Sequence, residues 1–328
     1  MRILKRALIV ALIVGVGSGA ALAASGDYGA WSSAVRVESI PGTHPDFNGP
    51  ALDGCPFISR DDKTFFMASR RFTSDDDKNN DINIWVSTRA QVTDGWGAPV
   101  LVGPPVSIDV IASEATQIND FCPTLARDGH DFYFVSNRDG YCGAARNDDM
   151  YTTRRRGDGR WDPAVHLDCD VNTTANEASP SPLPQAHTGP VLYFSSTITG
   201  NGDLYYSAWH GGAFQGRQEV VGVNTPAWNE GQPNVRRDGL EIFYFSNQPD
   251  LIGGGNDIYS ATRSSTAAAF SGAADLGGNV NSAASETRPS LSWDGTTLYF
   301  GSTRSGGGAE GDADHYVTTR DALTGSDG

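Results

Sequence analysis

Five acidic residues recur at one position of a repeated pattern. Asp53, Asp120, Glu177, Glu230 and Glu286 each stand three residues before a proline, namely Pro56, Pro123, Pro180, Pro233 and Pro289. Carboxylates gathered in this way can hold a hard cation through oxygen ligands, a cationic ligand, or a sugar. Two of them in unlike environments could also serve as the acid and base of a glycosidic hydrolysis. The alternative is architectural, because an acidic side chain at a turn can accept N–H bonds from the backbone around it. Five copies of one feature fit that alternative better, since hydrolysis needs two carboxylates that differ. The five are carried forward as candidate ligand-binding residues, and no catalytic residue is assigned.

The remaining chemistry-bearing residues give weaker signals. Ser69, Ser136, Ser196, Ser246 and Ser302 also recur, but no copy has a suitably placed histidine to activate a hydroxyl as nucleophile. They are expected to bond with the aspartates that open the next strand and so fix the loop between. His44, His130, His166, His187, His210 and His315 lack metal-ligand spacing and read as polar surface residues, so no zinc site is assigned. Asp75, Asp77, Asn79, Asp81 and Asn83 alternate oxygen side chains, but Asn80 and Val86 stand where a helix-loop-helix calcium loop needs Gly and Glu. A solvated acidic loop is expected there. The Gly-rich stretches "GGGND" and "SGGGAEGDAD" open no helix and so form no phosphate cradle. No metal and no cofactor is implied.

The elements that position these residues emerge from self-comparison. Five segments read "DGCPFISRDDKTFFMAS", "DFCPTLARDGHDFYFVS", "EASPSPLPQAHTGPVLYFSS", "EGQPNVRRDGLEIFYFS" and "ETRPSLSWDGTTLYFGS". Each runs on into an Asp-x-Tyr-like start of a further strand, as in Asp149-Met150-Tyr151, and the proline spacings of 67, 57, 53 and 56 suit a four-stranded unit. Asp128-Gly129, Asp238-Gly239 and Asp294-Gly295 predict two-residue hairpins between the first and second strands, where positive φ is needed. The second strand is apolar on both faces and must be covered on both. The fourth is the most polar. A gradient of that kind suits propeller blades, which stack face to face and expose only their last strand.

The pattern Pro-x-x-Ser-x-Asp-Gly, Leu-Tyr-Phe-x-Ser and Asp-Ile-Tyr resembles the WD40-like β-propeller repeat of TolB-type exported bacterial proteins. It recurs from about Asp53 to Arg320, although the third unit replaces Asp-Gly by "PLPQAHTGP" and the extra domains of such relatives are absent. The resemblance implies an all-β, five-bladed β-propeller with four antiparallel strands per blade. It does not carry over a Tol-system role. Five-bladed glycosidases, which share this architecture, place catalytic carboxylates on inner strands. The fifth unit ends without its outer strand, whereas "WSSAVRV" at 31–37 matches the start of an outer strand such as "WGAPVLV". The N-terminal strand is therefore expected to close the ring and bury Trp31.

Compartment and partners follow from the ends, the charge and the cysteines. Arg2, Lys5 and Arg6 precede an apolar run and then Ala21-Leu22-Ala23, which predicts a signal peptide over 1–23 and a single propeller domain over 24–328. The run is too short and Gly-broken to remain as an anchor, so the mature chain is read as an exported monomer, periplasmic or secreted, without membrane insertion. The formal charge of −15 opposes binding to nucleic acid. Four cysteines in an exported chain suggest two disulfides. Cys55 and Cys122 hold equivalent places in adjacent units, and Cys142 and Cys169 fall within one, so the expected pairs are Cys55–Cys122 and Cys142–Cys169. Function is read as binding or scaffolding: one face of the ring recognises a protein or glycan ligand, and the loops beside the carboxylates are the expected contact face. The alternative is a glycoside hydrolase that uses the inner-strand carboxylates on an extracellular polysaccharide.

Overall fold

A computed structural model describes residues 28–71, 81–108, 117–140, 142–143, 146–184, 189–249, 252, 254–304 and 313–323. The segment 1–23 expected to be a signal peptide, the loop residues Asp75, Asp77 and Asn79, and His187 lie outside the described residues.

Among the described residues, twenty strands form five antiparallel sheets of four, each a blade. Blade one contains β2 (Asp53–Ile58), β3 (Thr64–Ser69), β4 (Asn83–Thr88) and β5 (Val100–Leu101). Blade two contains β6 (Asp120–Leu125), β7 (Asp131–Ser136), β8 (Asp149–Arg154) and β9 (Val165–His166). Blade three contains β10 (Glu177–Leu183), β11 (Val191–Ser196), β12 (Asp203–His210) and β13 (Ala213–Glu219). Blade four contains β14 (Glu230–Val235), β15 (Glu241–Ser246), β16 (Asp257–Thr262) and β17 (Ser271–Asp275). Blade five contains β18 (Glu286–Leu291), β19 (Thr297–Ser302) and β20 (Asp314–Thr319), and its outer strand is β1 (Val35–Arg36) from the N-terminal end.

Burial explains the order of the strands. The aromatic second strands are covered on both faces, as with Phe132 and Phe134 of β7, both fully buried. Phe66 and Ile84 of blade one share their cluster, so this core lies between the two sheets. The outer strands β13 and β17 are mostly accessible, as a blade's edge should be.

Closure follows the sequence expectation. Val35 pairs with Val317 and Arg36 with Tyr316, and Tyr28 bridges Ala322. Trp31 is buried among Phe243, Ile258 and Leu276 of blade four and Phe300 and Tyr316 of blade five. The outer strand β1 is shorter than the motif suggested, because a 3-10 turn over Val37–Ser39 takes the chain inward, where Val37 and Phe47 are fully buried. Closing the ring with this segment covers the outer edge of β20, which would otherwise be open to template aggregation.

Two local features depart from the sequence reading. The Asp-Gly pairs do not make two-residue hairpins: between β6 and β7 the connection spans 126–130. There Gly129 has φ 75° and its N–H bonds Ala126 O, while Asp128 Oδ1 accepts the N–H of His130 and Asp131. The carboxylate thus stabilises a longer turn than its dipeptide signature suggested. Each inner strand also carries a bulge just before its proline, at Cys55, Cys122, Ser179, Gln232 and Arg288, with φ between 46° and 59°. Proline offers no N–H to the ladder, and the bulge re-aims the residue before it toward the ring axis.

Candidate functional site

The five predicted carboxylates open the five inner strands, all at 0–1% exposure, and each is held inside its own blade. Asp53 accepts Arg71 Nη2 at 2.6 Å and the Gly49 N–H. Asp120 accepts Arg138 Nη2 at 2.5 Å and the Ile108 N–H at 2.9 Å. Glu177 and Glu230 reach instead to a threonine, whose N–H and hydroxyl both donate: Thr173 at 2.7 Å for each bond, and Thr225 at 2.9 and 2.8 Å. Glu286 takes the same two bonds from Ser282, at 2.8 Å each, and adds an ion pair with Arg304 at 3.0 Å. Burial pushes the carboxyls of Asp120, Glu177 and Glu230 above their ordinary values, against these donors.

Sequence reasoning missed the arginine two residues after the repeated serine. Arg71, Arg138 and Arg304 each bond that serine's hydroxyl through Nε, and lie over Trp85, Tyr151 and Tyr316. Blades three and four have Ile198 and Gln248 there, and their serines donate to Glu177 and Glu230. The serine hydroxyls of blades three to five therefore go to the inner-strand carboxylate rather than to the aspartate opening the third strand. Two histidines also depart from the surface reading. His166 Nε2 meets Asp149 Oδ2 at 2.9 Å. His315 is fully buried beside Asn48, and burial pushes its pKa down to about 4, so the ring is neutral at physiological pH.

Midway along the channel the re-aimed side chains meet. The Cys55–Cys122 disulfide ties blades one and two there, and Ser179 Oγ lies 3.4 Å from Cys122 Sγ. Arg288 N–H donates to Gln232 Oε1 at 2.8 Å. The space between these groups is about 30 Å³, room for about one water. Arg288 lies deep in this throat, its Nε has no hydrogen-bond partner, and burial lowers its pKa to about 10, which leaves it cationic. The second disulfide, Cys142–Cys169, lies within blade two.

The cavity on the ring axis lies at the other end, where the inner strands finish. It has a volume of about 430 Å³ and is lined by Arg60, Arg127, Arg155, Arg236, Arg237 and Trp293, among others. Asp61 is the only acidic residue among the described residues lining it. Arg60, Arg127, Arg237 and Trp293 occupy one repeat position, directly before the turn aspartate, so four blades deliver them to one mouth. The signal was present in the sequence, as Arg in three of the five copies. Among the described residues no group of three His, Cys, Asp or Glu side chains could hold a metal ion.

No family model matches the chain, and no curated protein does. Solved structures do. The catalytic domain of the GH62 alpha-L-arabinofuranosidase of Coprinopsis cinerea aligns with a TM-score of 0.56 at 14% identity, over 90% of this chain and 97% of that one. The endo-arabinase of Bacteroides thetaiotaomicron aligns with a TM-score of 0.52 at 13% identity, over 90% and 99%. A putative TolB from Agrobacterium tumefaciens aligns at 0.42 and 12%, over 90% and 100%. At these identities the first two likenesses establish the five-bladed fold and no activity.

Proposed function

We propose that the chain is an exported, monomeric propeller of the WD40-like kind that binds a glycan at the arginine-lined mouth without cleaving it. The observation that carries this reading is the contrast in side-chain commitment. The inner-strand carboxylates are buried and bonded to their own turns, whereas the axial cavity opens at the opposite end. A hydrolase needs an acid and a base that can touch substrate, and these five have their oxygens engaged elsewhere. The glycan class is supported by the likeness to the arabinofuranosidase and endo-arabinase propellers. Two disulfides fit an oxidising compartment.

The same likeness favours a second reading, a glycoside hydrolase that uses inner-strand carboxylates. A glycan array probed with the mature chain, run beside hydrolysis assays on arabinan, separates the two. Binding to one glycan class without product release supports the binding module. Release of sugar that vanishes in a single variant such as Asp120→Asn, with the fold intact, establishes the hydrolase.

A further inference from the structure

We propose that the arginine-lined mouth selects a carboxylate-bearing glycan, a uronic-acid oligosaccharide; this rests on the glycan-binding reading above. The chain carries a formal charge of −15, yet this cavity gathers five arginines against Asp61. Asp61 is itself engaged by Ser59 Oγ at 2.6 Å and by the Lys63 N–H. Arg236 is matched, being paired with Asp238 and Glu241. Among the described residues, Arg60, Arg127, Arg155 and Arg237 have no carboxylate within ion-pair distance, whereas Arg154 pairs with Asp128 and Asp131.

The mode of support matters as much as the charge. Arg60 and Arg127 both lie over the Trp293 ring, 5.1 and 5.4 Å from its centroid. A cation–π contact steadies a guanidinium through its face and leaves the N–H fork at its edge free. That fork fits a planar carboxylate with two parallel bonds. Below the mouth, Arg288 adds a half-buried cation whose Nε is buried and lacks a partner. A neutral sugar would leave these like charges facing one another, whereas successive uronate carboxylates would neutralise them. The cavity of about 430 Å³ falls in the usual range for small-ligand sites.

The test is calorimetric titration of the mature chain with tetragalacturonate, neutral arabinotetraose and a glutamate-rich peptide, at low salt and at high salt. Tetragalacturonate alone should bind, and more weakly as salt rises. The double variant Arg60→Gln with Arg127→Gln should weaken it tenfold or more, and Arg237→Gln should weaken it several-fold. These side chains are exposed, so the melting temperature should hold. Arg154→Gln, an exposed change of the same charge outside the cavity, should leave the affinity unchanged. Equal binding of arabinotetraose that ignores the arginine variants overturns the anionic selectivity while leaving the glycan reading standing. Binding of the peptide alone, or of none of the three, overturns both; equal losses in Arg154→Gln and in the double variant overturn the site.

Discussion

The two ends of the channel use charge in opposite ways. Where the inner strands begin, carboxylates are sealed from water and each is matched by a turn, a hydroxyl or an arginine of its own blade. Where they finish, arginines stand exposed and unmatched around one indole. A buried charge must be satisfied locally or it destabilises the fold, whereas an exposed one can remain open to a ligand. Repetition therefore has two meanings in this ring. At the first end it records what every blade needs in order to fold; at the second it places like groups round a cavity.

Two arginines of blade two put the contrast to its strongest test. Arg138 bonds Ser136, Pro105 O and Val106 O, pairs with Asp120, and lies over Tyr151. Arg127 has its contact with Trp293. Arg138→Ala should cost about 4 kcal/mol, because Asp120 is left as a buried charge without its cation. Arg127→Ala should change stability by no more than about 0.5 kcal/mol. Urea unfolding of both variants measures the difference, and equal costs would dissolve the distinction between the ends.

The arginine end contains one structural exception. Glu241 receives Arg236 Nη1 at 2.9 Å and both Arg320 Nη atoms at 2.9 and 2.7 Å, all buried. Arg320 also lies over Tyr28 and Trp31, so this knot ties blade four to the last strand and to the closing N-terminal segment. Glu241→Gln should cost about 3 kcal/mol by leaving the buried Arg320 guanidinium without its counter-charge, whereas Arg236 keeps Asp238. The ligand arginines Arg60, Arg127 and Arg237 are not part of the knot. Glycan affinity measured on the folded fraction should therefore be unchanged, which sharpens the boundary between holding and binding at this mouth.

The fold was legible in the sequence because a blade is a unit of about fifty residues whose constraints repeat. The Pro, the aromatic run and the missing fifth outer strand were enough to place β1 beside β20. The site was less legible. Its residues fill the position before the turn aspartate, a position the blade does not constrain, so they carry no periodic pattern of hydrophobicity and become a cluster only when the ring closes. Arg71, Arg138 and Arg304 were hidden for a related reason. They occur in three copies of five, beside Asp53, Asp120 and a Glu286 that also reaches Ser282, so neither the spacing nor the acidic residue type announces them.

A third change returns to the acidic end. Glu230→Gln, with its amide oxygen in the place of Oε2, still accepts the Thr225 N–H, but its NH2 then faces the Thr225 and Ser246 hydroxyls, which must turn from donating to accepting, and the charge that strengthens these bonds is lost. The loss should be about 1 kcal/mol, well short of Arg138→Ala, because no buried cation is left behind. Affinity at the arginine mouth should not move. If it falls, the carboxylate end communicates with ligand and is not purely architectural.

The smallest effect is a pH dependence at Glu177. Burial raises its pKa in the folded chain, against the bonds from Ser196 and Thr173. As pH falls toward that raised value the folded chain takes up this proton before the unfolded chain does, so the group's contribution to stability rises on acidification. Above the raised pKa both states are ionised, and the group contributes a constant penalty. Glu177→Gln is neutral throughout and lacks this slope. Urea unfolding of the wild type and Glu177→Gln at pH 8 and pH 5 should show the stability difference moving toward the wild type at pH 5. Movement the other way would mean that the hydrogen bonds from Thr173 and Ser196 outweigh burial. The acidic end would then be a set of stabilised anions rather than charges the fold merely tolerates.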